Sequence, residues 1–351
     1  MTTMRVPHSR RRLRSGFVLP PVIIITVLIA LLAGAMKFAA WRSTRAARLA
    51  WNGERALHAA DEVLAATIAT WNPTTFARTL IGSRTAFTTQ STNGATATAT
   101  IVRTQALGAF VEADAVSETS GTPRAARRRI GRALQLLPPP LPLIATITIL
   151  GTLSIDSSAV VSGIDSLLPS DECGPTRDTA SIGGVAAIAM HVTSITNVRG
   201  APATQFIRDA STRTQFDAAW ITLTQRTSMQ GWPLSGTPLT PQPPWSAAIV
   251  DAPVGATLSG VSSFEGLLVV NGNLTLLGTL HVRGLLVVRG ALDARLGQLD
   301  VEGALLVVDV NNTGSTMGNS VTVRYSQCAL RRALATIAMP VTRPFAVWQE
   351  R

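Results

Sequence analysis

Few side chains in this sequence are equipped for chemistry. His281 stands third after Gly278, an outward position in a six-residue repeat, where an imidazole facing a neighbouring subunit could serve acyl transfer. No paired carboxylate or second base accompanies it, and no Ser-His-Asp arrangement or phosphate-cradling loop is evident. A polysaccharide-cleaving groove would want clustered charge, but Asp293, Asp300 and Asp309 are scattered. Cys173 and Cys328 are the chain's two cysteines, and outside a reducing compartment they are candidates for a disulfide. Two cysteines and four histidines supply no metal-ligand spacing, so no metal, no cofactor and no catalytic residue is expected. The reading is non-enzymatic. One covalent bond does stand out: the peptide bond Gly16–Phe17, between a basic leader and an apolar run, is the attractive place for a peptidase to cut.

The leader, residues 1–16, holds five arginines (Arg5, Arg10, Arg11, Arg12, Arg14) and no acid. From Phe17 to Met36 the chain runs twenty residues without a charge, and twenty helical residues span about 30 Å, the thickness of a hydrocarbon core. A secretory signal peptide would have a shorter apolar stretch and a polar mature start; here the run continues into a long helical pattern, so the segment reads as retained. Arg14, Gly16, Phe17 and Leu19 together resemble the class III signal of type IV pilins and pseudopilins. That resemblance implies cleavage after Gly16 by a prepilin peptidase, N-methylation of Phe17, and lateral association with other pilins through the helix. Most pilins carry Glu at the fifth mature residue, where this chain has Pro21 after Pro20. An unpaired terminal amine in lipid is costly, so the departure suits a minor subunit more than a bulk fibre subunit. A second segment, from Asn52 through Ala56, Leu57, Ala59 and Ala60 to Asp61, resembles the region just past the membrane in PilX-type minor pilins, with Asp61 where Glu is usual.

Net charge is +11 over 351 residues, yet only Lys37 among the 31 basic residues is a lysine. Arginines cluster again at Arg124, Arg127, Arg128, Arg129 and Arg132. With a single tyrosine, Tyr325, stacking partners are scarce, which argues against nucleic acid as a partner. Basic residues flank the apolar run on both sides, with Lys37, Arg42, Arg45 and Arg48 after it, so orientation rests on the resemblance rather than on the positive-inside bias.

These residues need elements to position them. Apolar residues Leu49, Ala56, Ala59, Val63, Ala66 and Ile68 recur at helical steps among Arg45, Arg48, Asn52, Arg55 and Glu62, which predicts one helix from about Pro21 to Trp71, ended by Asn72 and Pro73. His58 falls on that helix as a face residue. Beyond it, alternation over residues 95–102 after Asn93 and Gly94, with strand patterns at 83–91, 109–116 and 127–137, predicts an antiparallel meander on the helix, its arginines alternating or at a strand edge. Pro138, Pro139, Pro140 and Pro142 mark a stiff linker.

Glycines at 260, 266, 272, 278, 284, 290, 297 and 303 hold six-residue intervals apart from one of seven. Leu268, Leu274, Leu280, Leu286 and Leu292 stand two residues after successive glycines and Val270, Leu276, Val282, Val288 and Ala294 four after, so each hexad reads as a short strand with two inward side chains. Three hexads make one coil of a parallel β-helix, with Asn271, Arg283, Arg289 and Glu302 outside. An earlier coil is expected near residues 144–165, then an insertion over 167–253 with a helix near Thr204–Leu223, and a helix over Cys328–Ile337 capping the coils. A Cys173–Cys328 disulfide would tie the insertion to that cap.

The expected fold class is α+β: a long N-terminal pilin-type transmembrane helix packed on an antiparallel sheet, then a parallel β-helix-like domain. The expected organisation is a leader at 1–16, the helix at 17–72 (17–36 in the membrane), the sheet at 73–140, the head at 141–325 and a cap and tail at 326–351. The resemblance implies a minor pilin or pseudopilin of a type IV pilus or type II secretion-like fibre, first in the bacterial inner membrane with its C-terminal part periplasmic. The alternative is an uncleaved single-pass envelope scaffold or adhesin.

Overall fold

The computed structural model describes residues 19–92, 94–117, 126–166, 181–193, 196–226, 242–311 and 313–348. The fold is α+β, with one long helix, an antiparallel sheet and a larger, mostly parallel sheet. Helix α1, Leu19–Ala69, runs unbroken for 51 residues, about 75 Å at the helical rise. Its first part buries nothing: Val22, Ile25, Leu31 and Met36 are all at least half exposed. From Asn52 onward one face is buried, through Gly53, Ala56, Ala59, Ala60, Val63 and Leu64. The expected face is buried at Ala56, Ala59 and Val63, but burial begins only at Asn52. Leu49 is exposed, whereas Asn52 is buried. Asn72 caps the next helix, α2 (Pro73–Arg78), its side chain accepting from the Thr75 N–H at 3.1 Å.

The antiparallel sheet has the order β1 (Arg84–Thr92), β2 (Ala95–Gln105), β3 (Gly108–Ser117), β4 (Ala126–Leu137), β19 (Met339–Trp348). Alanine and threonine alternate along β2, so one face presents Ala95, Ala97, Ala99 and Ile101 to the interior. These residues, Val111, Ala113 and Ala115 of β3, and Ala56, Ala60 and Val63 of α1 share one buried cluster. The chain's last described segment, read from sequence as a tail, returns as β19 beside β4. The arginine strand β4 thus has neighbours on both sides and is not an edge. Its arginines are occupied instead: Arg127 pairs with Asp114, Arg129 with Glu112 at 2.9 Å, and Arg132 with Asp61 of α1 at 2.7 Å.

The parallel sheet consists of windings stacked in register. Val261 pairs with Thr279, eighteen residues on, and Val288 with Val307, nineteen on. Three ladders result. One runs through β10 (Ser246–Asp251) and the second halves of β12 (Val261–Asn271), β14 (Thr279–Val288) and β16 (Gln298–Val307). The second joins β11 (Ala256–Leu258), β13 (Leu274–Leu276), β15 (Leu292–Ala294) and β17 (Ser315–Met317). The third comprises the first halves of β12, β14 and β16, then β18 (Val321–Tyr325) and β6 (Val160–Ser162). Leu268, Leu274, Leu280, Leu286, Leu292 and Leu299 meet in the enclosed core.

Three features differ from the sequence reading. First, the winding at β5 (Ala145–Ile155) docks on the last repeat winding, through Leu305↔Ile147 and Ser315↔Leu153, rather than preceding the first. Second, residues within 167–253 join the sheet: β7 (Gly183–Val192) pairs with β5, and β8 (Val198–Arg199) and β9 (Thr204–Phe206) add further rungs. The expected helix near Thr204 starts later, as α3 (Ser211–Arg226), because Asp209 accepts from the Ser211 N–H at 2.8 Å and starts it there. Third, α4 (Gln327–Ala335) does not cover an open end; it lies with α3 on the outside of the first ladder. Leu267, Val269, Leu285, Val287, Leu306 and Val308 are buried there beneath Phe216, Trp220, Leu223, Leu330 and Ala333. Both faces of that ladder are covered, and both carry apolar side chains.

Candidate functional site

The outside of the third ladder is polar and uncovered by helix. Register places Ser263, His281, Asp300 and Thr322 in one column, and Glu265, Arg283, Glu302 and Arg324 in the next. Neighbouring strands lie about 4.8 Å apart, so side chains in a column are within reach of one another. His281 Nδ1 lies 3.5 Å from Asp300 Oδ2, and Arg324 donates to the other oxygen of Asp300, also at 3.5 Å. Arg283 stands between two carboxylates, 3.7 Å from Glu265 and 3.6 Å from Glu302. These residues line a groove of about 440 Å³, walled on one side by Gln242 and Pro244. Next to Pro244, Trp245 is buried in a left-handed backbone conformation, φ 54°, with the guanidiniums of Arg283 and Arg332 5.6 and 4.2 Å from its ring centroid. A bulky residue at positive φ is strained and is held by its surroundings.

Under the groove lies the joint between the two sheets. Arg103 of β2 is almost fully buried and donates to the carbonyls of Ala77 and Thr79, both at 2.8 Å, and of Ala106 at 3.1 Å. Its ring partner is Phe76, 4.9 Å away. Arg332 of α4 donates to the same Ala77 carbonyl at 3.3 Å. Burial, and then the nearby charge of Arg332, push Arg103 down to about 9. Ala77, Trp245, Ala329 and Ala335 close the joint as a small apolar cluster.

Gly16 and Phe17, the proposed cleavage and methylation site, lie outside the described residues, as do Cys173 and Arg124. Cys328 is disulfide-bonded and sits at the start of α4. That turn is held by Ser326, whose hydroxyl accepts from the Ala329 N–H at 3.3 Å, and by Asp165, which accepts from the Gln327 N–H at 2.9 Å. Burial raises the Asp165 carboxyl, while the Gln327 N–H and Arg331 pull it back. His281 is outward, as its place in the hexad implies, and half exposed. Sequence reading did not find its neighbours Ser263 and Asp300. Their offsets of eighteen and nineteen residues were the available signal, since one winding has that length. Among the described residues no group of acidic, histidine and cysteine side chains is arranged to hold a metal ion.

Helix α1 is long and apolar enough to cross a membrane, with a mean hydropathy of 2.5 over its most apolar window, a property that a signal sequence shares. Comparison with protein-family models, with curated proteins and with solved structures finds no match to this chain.

Proposed function

We infer that this protein is a minor pilin or pseudopilin: a membrane-inserted subunit that a prepilin peptidase trims at Gly16–Phe17 and that then joins a type IV pilus or type II secretion-like fibre. The division of α1 carries the reading. Its first thirty or so residues bury no side chain, although most of them are apolar, and its last turns share a core with an antiparallel sheet. An apolar rod without intramolecular partners needs lipid or other helices around it. A helix anchored at one end to a folded head can exchange the first for the second. Pro20 and Pro21, in place of an early glutamate, suit a subunit that does not repeat along a shaft. The stacked windings, read as a β-helix head, form a bulky distal body in the same arrangement, exposed on the periplasmic side and then on the fibre.

The test is mass spectrometry of the amino terminus after expression with and without a prepilin peptidase. The expected product begins at N-methylated Phe17 only when the peptidase is present, and Gly16→Val abolishes the shift. A chain still beginning at Met1 with the peptidase present overturns the proposal and leaves a static single-pass anchor.

A further inference from the structure

The column Ser263, His281, Asp300 places a hydroxyl, an imidazole and a carboxylate on three successive rungs in that order. The ring nitrogen nearest Asp300 is Nδ1, which leaves Nε2 as the atom available to a nucleophile. Ser263 is exposed on the opposite rung from the carboxylate, at the groove floor. Arg324 contacts Asp300 from the far side and so acts as a positioning residue for it. The 3.5 Å separation of His281 and Asp300 is long for a hydrogen bond, and contacts of this kind tighten around bound substrate. Arg283 lines the same groove two residues from His281, between the carboxylates of Glu265 and Glu302.

We propose that Ser263, His281 and Asp300 form an acyl-transfer site that hydrolyses short-chain carboxylic esters of hydroxyl-rich alcohols. The lining chooses the substrate class. Glu265 and Glu302 accept hydrogen bonds and Arg283 and Arg324 donate them, as vicinal hydroxyls require, while Pro244, with Phe264 and Val282, supplies apolar lining for an acyl group. Ser263 Oγ attacks the ester carbonyl carbon and its proton passes to His281 Nε2. The bond to the alcohol oxygen then breaks, and that oxygen takes the proton from His281. Water attacks the acyl-serine, gives its proton to His281, and the carboxylic acid leaves as the serine regains its hydrogen. No oxidant or further reactant is needed. This inference does not depend on how the apolar helix is used.

The experiment treats the full chain in detergent with a fluorophosphonate probe, maps the labelled peptide, and measures p-nitrophenyl acetate hydrolysis. Label on Ser263 is expected, and Ser263→Ala and His281→Gln should each lower the rate by about 100-fold or more, the scale on which triad members act. Thermal melting should stay unchanged, since both side chains are at the surface. Absence of label at Ser263, or an unaltered rate in Ser263→Ala, overturns the proposal. So does a His281→Gln protein that melts earlier yet hydrolyses the ester at the parent's rate, because the column is then only a structural ladder.

Discussion

At the residue scale, Asp293 on β15 shows how a surface carboxylate in this head is held ionised. Arg295 donates from Nε at 2.9 Å and from a terminal nitrogen at 2.6 Å, and its backbone N–H and the Thr316 hydroxyl add bonds at 3.2 and 3.0 Å. Chiefly through the Arg295 guanidinium, and against some desolvation, the carboxyl is lowered from 3.8 to about 2. A carboxylate whose folded value is depressed contributes stability above its unfolded value, and that contribution is lost as pH falls from about 4 through about 2. The carboxylate is partly exposed and its partner Arg295 more so, and solvent screening keeps the effect below about 1 kcal/mol. Urea denaturation of the parent and of Asp293→Asn at several pH values between 2 and 5 is expected to show a shallower acid loss in the variant. Identical slopes would mean the pair contributes nothing. Thr316 belongs to the next rung of the second ladder, so part of this effect reports contact between windings.

Among the elements, the third and first ladders meet at a column of glycines in register: Gly266, Gly284 and Gly303. Each has φ between 126° and 143°, and a Cβ on any of them would strike the backbone of the winding alongside. At Gly284 it would meet the Gly266 carbonyl and come within 3.0 Å of Ala333 on α4. Gly284→Ala is therefore expected to cost about 2–5 kcal/mol, adding backbone strain to overpacking. Gly314, at φ 82° with open space around it, should lose only about 1 kcal/mol on the same substitution. Equal losses at both positions in urea denaturation would remove the close approach of windings as the reason for glycine. This column also marks what could be read from sequence. The six-residue interval predicted a winding of eighteen, and the one interval of seven, Gly290 to Gly297, moves the offset to nineteen. Buried Leu286 and Val288 followed from the hexad, and outward His281 did too. Placement that depends on distant partners was not legible: β5 docks on a winding about 160 residues later, and β19 finds β4 about two hundred residues back. The helices over Leu285 and Val287 were hidden for a related reason. A run with both faces apolar says that a cover exists, but the sequence does not say which segment supplies it.

For the whole molecule, the question is how much of the chain the folded head needs. Every side chain of α1 described as buried lies at Asn52 or beyond, where Ala56, Ala59, Ala60, Val63 and Leu64 join the antiparallel sheet. The Arg132–Asp61 pair also falls in this half. Before that point the helix's described ring contacts come from neighbouring turns, the guanidiniums of Arg42 over Phe38 and of Arg45 over Trp41. The head is bound together independently of that rod. α2, Arg103, Trp245 and Arg332 join the two sheets beneath the groove, and β19 carries the chain back from the windings into the antiparallel sheet. Removing residues 1–50 should therefore take away the exposed apolar surface and little stability. Such a variant is expected to be monodisperse without detergent. In a domain of this size 1 kcal/mol corresponds to about 2–4 °C, and the variant's melting temperature should stay within about that interval of the full chain's. A variant that melts more than about 10 °C lower would mean that the rod supports the head, and the division of α1 into a free half and a packed half would be wrong.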